Sequence, residues 1–206
     1  MKSGLYTVVH FLFAWLVRLC SHLRVVNRKN EPKRSEGPYI VVCNHLTWKD
    51  PIWLCAATRY QQPHFMAKKE LFRPPLGPMI RALGAYPVDR GGADVGAIRK
   101  TIKMLEDGYC IGMFPQGHRN PGVDPRTTKI RPGVAMIAAH AGVKILPVYI
   151  KTKDNRPRAF RKKEIIIGKP FTLEELGFDP HAAGEYNRVA GLVFERICAL
   201  GDEICP

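Results

Sequence analysis

The chain has 206 residues, 46% of them hydrophobic and 24% charged. That is enough for one domain with a sizeable core, and it excludes both a largely disordered chain and two independent domains. Lys and Arg number 32 against 18 Asp and Glu, a formal net charge of +14, so long-range electrostatics favour an anionic partner, whether nucleic acid, anionic lipid headgroups or an acidic carrier protein.

The N-terminal apolar run from Leu5 to Val17, followed by Arg18, is shorter than the roughly 20 residues a membrane-spanning helix needs. No small-residue cleavage site follows, so a removed signal peptide is not expected. Phe11, Phe13 and Trp15 beside Arg18, Arg24, Arg28 and Lys29 have the composition of a helix lying among lipid headgroups; the competing reading is a helix packed on the domain's own core. A linker is expected from Pro32 to Pro38. Residues 1–35 are thus expected to form a membrane-associating helix and linker, and residues 36–206 an α/β domain. The expected location is the cytoplasmic face of a membrane.

Tyr39 to Cys43 is a continuous apolar run after Gly37-Pro38, the pattern of a strand buried on both faces of a parallel sheet. A helix is predicted over 51–60 and a strand within 84–90. Val95, Ile98, Ile102 and Leu105 recur at helical spacing and stop before Gly108, predicting a helix over 93–107. A strand over 109–114, a helix over 133–141 closed by Gly142, strands over 145–150 and 164–167 and a last helix over 185–200 complete the series. Alternating strands and helices predict a mostly parallel central sheet flanked by helices. Cys20, Cys43, Cys55, Cys110, Cys198 and Cys205 include no pair at two-residue spacing, so no zinc site is expected. They read as reduced thiols in a reducing compartment.

Directly after the first buried strand stands Asn44-His45-Leu46-Thr47-Trp48-Lys49-Asp50-Pro51. On one continuous helix His45 and Asp50 would lie about 140° apart and would not meet. If the strand ends at Asn44 and a helix starts at Pro51, the turn between them can fold Asp50 back onto the imidazole, with Asp50 as helix cap and Pro51 in the first turn. An imidazole beside a carboxylate is a general base: the carboxylate fixes the tautomer and stabilises the imidazolium that forms. No serine or cysteine stands between His45 and Asp50, which favours direct attack by a substrate hydroxyl over an acyl-enzyme. Alone the pair is weak, since one arises by chance about 0.3 times per chain of this composition.

Two further strand ends carry arginines, Phe114-Pro-Gln-Gly-His-Arg119 and Gly84-Ala-Tyr-Pro-Val-Asp-Arg90. A guanidinium suits bidentate binding of a phosphate monoester, and Gly117 lets backbone amides approach the same anion. Here the chain resembles the lysophosphatidate and glycerophosphate acyltransferases. Residues 44–50 resemble that family's histidine-four-residues-aspartate block, 67–71 with 84–90 its second, 114–119 its third, and 145–150 its proline-containing fourth. The resemblance implies His45 as general base, Asp50 as its orienting partner, and Arg119, Arg90 and Lys68 as phosphate ligands. It also implies acyl-coenzyme A or acyl carrier protein as co-substrate, with no bound cofactor. The reaction implied is acyl transfer to the 2-hydroxyl of 1-acyl-glycerol-3-phosphate, forming phosphatidate; glycerol-3-phosphate and other lysophospholipids are the alternative acceptors. Gln116 stands where the family usually has glutamate, and His118 where it usually has a small residue. Gln116 is expected to keep an acceptor while removing a negative charge beside the phosphate, altering acceptor preference.

A reading of another class, a non-enzymatic anion-binding protein, rests on Lys151, Lys153, Arg156, Arg158, Arg161, Lys162 and Lys163. Nucleic acid is not the expected partner, because RNA-binding aromatic motifs and zinc-finger spacings are absent.

Overall fold

The computed structural model describes residues 4–88 and 95–202. Seven strands form one sheet in the order β1-β7-β6-β2-β5-β3-β4. They are β1 (Leu23–Val26), β2 (Tyr39–Cys43), β3 (His64–Lys68), β4 (Tyr86–Val88), β5 (Ile111–Met113), β6 (Lys144–Lys151) and β7 (Lys163–Ile167). The strands from β2 to β6 run parallel, and β7 turns back antiparallel to β6 with β1 alongside it. The helices are α1 (Gly4–Cys20), α2 (Asp50–Ala57), α3 (Leu76–Ala82), α4 (Val95–Glu106), α5 (Gly133–Ala141) and α6 (Glu185–Asp202). The predicted α/β architecture and each predicted element are present within a few residues.

Three elements went unpredicted: β1, β3 and α3. β1 is Leu-Arg-Val-Val, and it is the first strand of the order, at the sheet's edge. It lies in the basic stretch read as part of the N-terminal helical segment, so the sheet begins before the Pro32–Pro38 linker. That linker is itself tied down. The buried Glu31 carboxylate accepts hydrogen bonds from Arg59 N and Tyr60 N, each at 2.8 Å, and from Tyr39 Oη at 3.2 Å. Burial raises its carboxyl above the ordinary range despite these donors.

The central strands are covered on both faces, which is why β2 reads as an unbroken apolar run. Ile40 and Val42 face a core built with α4, α5 and α6, whereas Tyr39, Val41 and Cys43 face a second core built with α2. This two-sided cover places the connections of neighbouring strands on opposite faces. The chain leaving β2 passes through α2 to β3, and the chain leaving β5 passes through α5 to β6. Adjacent strands whose connections diverge open a crevice at their carboxyl ends, the usual ligand position in an open α/β sheet.

α1 packs on α2, with Val17 against the second core. Leu12, Trp15, Leu16 and Leu19, at i, i+3, i+4 and i+7, are each more than half exposed and form an apolar stripe on one side. Among the described residues no helix is long and apolar enough to cross a membrane.

Candidate active site

The β2 and β5 carboxyl ends carry the two segments singled out from sequence. β2 stops at Cys43, and Asn44, with no exposure, anchors the chain as it leaves the strand. The Asn44 side chain donates to Ile150 O at 3.1 Å and accepts from Ile150 N at 2.8 Å. Its amide therefore pairs with the backbone of β6 like an extra ladder rung, and His45 leaves the sheet from a rigid base.

The turn from Leu46 to Lys49 brings Asp50 back onto the imidazole, with His45 Nδ1 2.8 Å from Asp50 Oδ2. The same oxygen accepts from Leu46 N at 2.6 Å and Thr47 N at 2.8 Å. Asp50 has no solvent exposure. A carboxylate oxygen can only accept, so in the neutral imidazole this contact assigns the proton to Nδ1 and the lone pair to Nε2. Asp50 lies within the first helical turn rather than at the cap before it, with Pro51 next. Its side chain turns back to the preceding loop, so the predicted cap has shifted by one residue while the predicted contact is present.

The imidazole is also held by its face. Its ring stacks on Phe114 with centroids 4.0 Å apart and planes 15° from parallel, and Phe114 stacks in turn on Phe65 at 5.6 Å. Gly112 makes room for this stack: a Cβ there would lie 2.0 Å from the Phe65 ring. Sequence reasoning missed Phe114 as a site residue. Its only signal was its place at the end of a predicted strand, two residues before Gln116.

Gln116 is 1% exposed and faces inward. Its Oε1 accepts from His45 N at 2.7 Å, and its Nε2 donates to Thr128 Oγ1 at 2.8 Å. The amide thus makes one bond to the protein at each end and clamps the His45 backbone. A second clamp runs from Asn120 N to His45 O at 2.9 Å. We expect Gln116→Leu to leave His45 N–H unpaired and to remove a donor from the Thr128 hydroxyl, which keeps its own bond to Pro125 O at 2.6 Å. The cost is about 2 kcal/mol of stability, and turnover is expected to fall about tenfold from loosened geometry. Thermal unfolding and steady-state rates on the same preparation check both.

Gly117 takes φ +72°, and a Cβ on it would lie 2.6 Å from Arg131 Nε. The Arg131 side chain therefore lies over this turn, and its backbone N–H donates to Pro115 O at 2.9 Å. Arg131 had not been singled out, because it sits 14 residues beyond Gly117 in sequence. His118 and Arg119 are exposed on the same turn. Lys68 is exposed at the last position of β3, on the same edge of the sheet. Arg90 lies outside the described residues.

Cys43 is the nearest thiol in sequence, and it has no exposure; burial pushes it well above the ordinary thiol range. It is unsuited to act as a nucleophile. Among the described residues no group of three His, Cys, Asp or Glu could hold a metal ion.

Comparison with known proteins matches a family model described as Acyltransferase to residues 22–151. A 1-acyl-sn-glycerol-3-phosphate acyltransferase of Bacillus subtilis is 30% identical over 75% of this chain and 76% of its own length. A protein of the same description from Streptococcus pneumoniae is 37% identical over 66% of this chain, though the match spans only 49% of that relative. Among solved structures, the 1-acyl-sn-glycerophosphate acyltransferase of Thermotoga maritima superposes with a TM-score of 0.71 at 26% identity. It covers all of this chain and 86% of its own.

Proposed function

The chain belongs to the acyltransferase family, and on that premise we propose that it acylates the 2-hydroxyl of 1-acyl-glycerol-3-phosphate from an acyl-coenzyme A or acyl-carrier-protein thioester, forming phosphatidate. The observation that carries the reading is the 2.8 Å contact between His45 Nδ1 and Asp50 Oδ2, which leaves Nε2 as the free basic nitrogen at the crevice between β2 and β5. The relatives named above support the acceptor, and family membership sets aside the non-enzymatic anion-binding reading.

In this mechanism the acceptor hydroxyl donates to His45 Nε2, which takes its proton as the oxygen attacks the thioester carbonyl. Asp50 stabilises the imidazolium, and the proton passes to the departing thiolate. No acyl-enzyme is formed, in keeping with the buried Cys43. Arg131 over the Gly117 turn and the exposed Arg119 on it hold the acceptor's phosphate, with Lys68 at the end of β3 and Arg90 as further phosphate ligands. The exposed stripe of α1 lies in the headgroup layer at the cytoplasmic face, bringing the crevice to its lipid substrate.

The test is transfer of labelled acyl chains from each donor to lysophosphatidate by detergent-purified protein, with glycerol-3-phosphate and lysophosphatidylcholine as competing acceptors. Preference for lysophosphatidate supports the reading; equal rates with lysophosphatidylcholine would remove the phosphate-monoester assignment. In the same assay we expect Arg119→Ala to raise KM for lysophosphatidate about ten- to hundredfold, the loss of one charge-assisted phosphate contact. KM for the acyl donor should stay unchanged.

A further inference from the structure

The connection between β6 and β7 is unused by this mechanism and has features that a solvated charged loop does not need. Its residues enclose a cavity of about 50 Å³, room for one small anion, lined by six cations and a single acid, Asp154. The Thr152 hydroxyl is buried in the lining and has no hydrogen-bond partner among the described residues. Lys163, 4% exposed, closes the floor; its ammonium donates to Ser21 O at 3.0 Å and Arg161 O at 2.7 Å. The other five cations are exposed around it, and an anion seated among them relieves their mutual repulsion.

Beside this cavity stands Phe160, 83% exposed and at φ +58°. A bulky side chain in the left-handed region costs on the order of 1 kcal/mol. The conformation projects the ring into solvent between Arg158 and Arg161. The ring meets His22 edge-on at 6.1 Å, two residues past the end of α1. The chain just past α1 thus touches both the Phe160 ring, through His22, and the cationic cavity, through Ser21 O on Lys163. The β6 to β7 connection meets the active-site edge, since Gly122 N donates to Asn155 O at 2.9 Å and the Arg156 guanidinium covers Gly122.

We propose that residues 152–163 form a headgroup site for anionic phospholipid, in which the cationic cavity takes a lipid phosphate and Phe160 enters the acyl layer beside it. An acidic carrier protein would satisfy the charge but leave the projecting ring unexplained. The site lies outside the catalytic crevice and takes bulk membrane lipid rather than the acceptor. It rests on the proposed lipid substrate only for the kind of surface involved, and its test reads partitioning rather than turnover, so the two can fail separately.

The experiment is sedimentation of the full chain with vesicles of phosphatidylcholine alone and of phosphatidylcholine mixed with phosphatidylglycerol. Beside the wild type run Arg158→Gln/Arg161→Gln and Phe160→Ser, all exposed positions where folding is not at risk. The double variant is expected to lose about ten- to thirtyfold in partitioning onto the anionic vesicles and little on the neutral ones. Phe160→Ser is expected to weaken binding to both, and turnover in detergent should stay at wild-type level in each. Unchanged partitioning of the double variant overturns the proposal. So does a double variant that binds vesicles normally but loses activity with acyl carrier protein alone, which would assign the patch to the donor.

Discussion

His45→Ala is expected to lower kcat for acyl transfer about a thousandfold while the protein stays folded. A positioned general base contributes about 10² to 10⁴ in rate, and a thousandfold loss is about 4 kcal/mol of barrier. The structural cost is smaller. The imidazole is partly exposed and its main packing contact is the Phe114 face, so its removal forfeits about 1 kcal/mol of ring stacking. The two backbone clamps, from Gln116 Oε1 and Asn120 N, do not involve the side chain and survive the substitution. Circular dichroism and thermal unfolding should therefore change little where the rate collapses. Added imidazole is expected to restore part of the rate, because the space above Phe114 is shaped for that ring. A folded His45→Ala protein with wild-type turnover would end the general-base assignment.

The legible part of this fold was the part whose side chains face a core on both sides. β2 and β6 were read within about a residue because every internal position is apolar, and α4 because one stripe repeats at helical spacing. β1, with Arg24 pointing to solvent, and β3, His-Phe-Met-Ala-Lys, carry no such pattern; they are strands because a neighbour offers them a free edge. That is information about tertiary structure, and four or five residues do not contain it.

In the site, the contacts within one short segment could be foreseen and those between segments could not. The His45 to Asp50 contact spans four intervening residues within the short connection between a strand and a helix. The bond from His45 N to Gln116 spans 71 positions, and the packing of Arg131 over Gly117 spans 14. The first depends on β5 pairing with β2, so a side chain read from sequence as facing the substrate turns inward to hold the base. Gln116 shows why motif position alone does not assign a role: the residue type indicates which hydrogen bonds are possible, and the register of the sheet determines which are made.

Asp50→Asn is expected to reduce kcat about a hundredfold, less than the loss at His45, and the geometry gives the reason for the difference. An asparagine can be placed with its amide nitrogen toward His45 Nδ1, which would force the wrong tautomer and remove the base altogether, a change worth about 10⁴ in rate in the serine-protease triad. Here Leu46 N–H and Thr47 N–H both point at the oxygen that His45 contacts. An amide nitrogen at that position would face two donors, so the oxygen is held there and the tautomer is kept. What remains lost is the negative charge that stabilises the imidazolium. The amide nitrogen then occupies the place of Oδ1, a buried atom without a partner among the described residues, at a cost of about 1–3 kcal/mol in stability. Kinetics and thermal unfolding of Asp50→Asn and His45→Ala, run side by side, separate the two effects. A hundredfold rate loss with a lowered melting temperature supports a charge held in place by the Leu46–Thr47 turn. A loss equal to that of His45→Ala would mean that the amide flips and that the turn does not fix the tautomer.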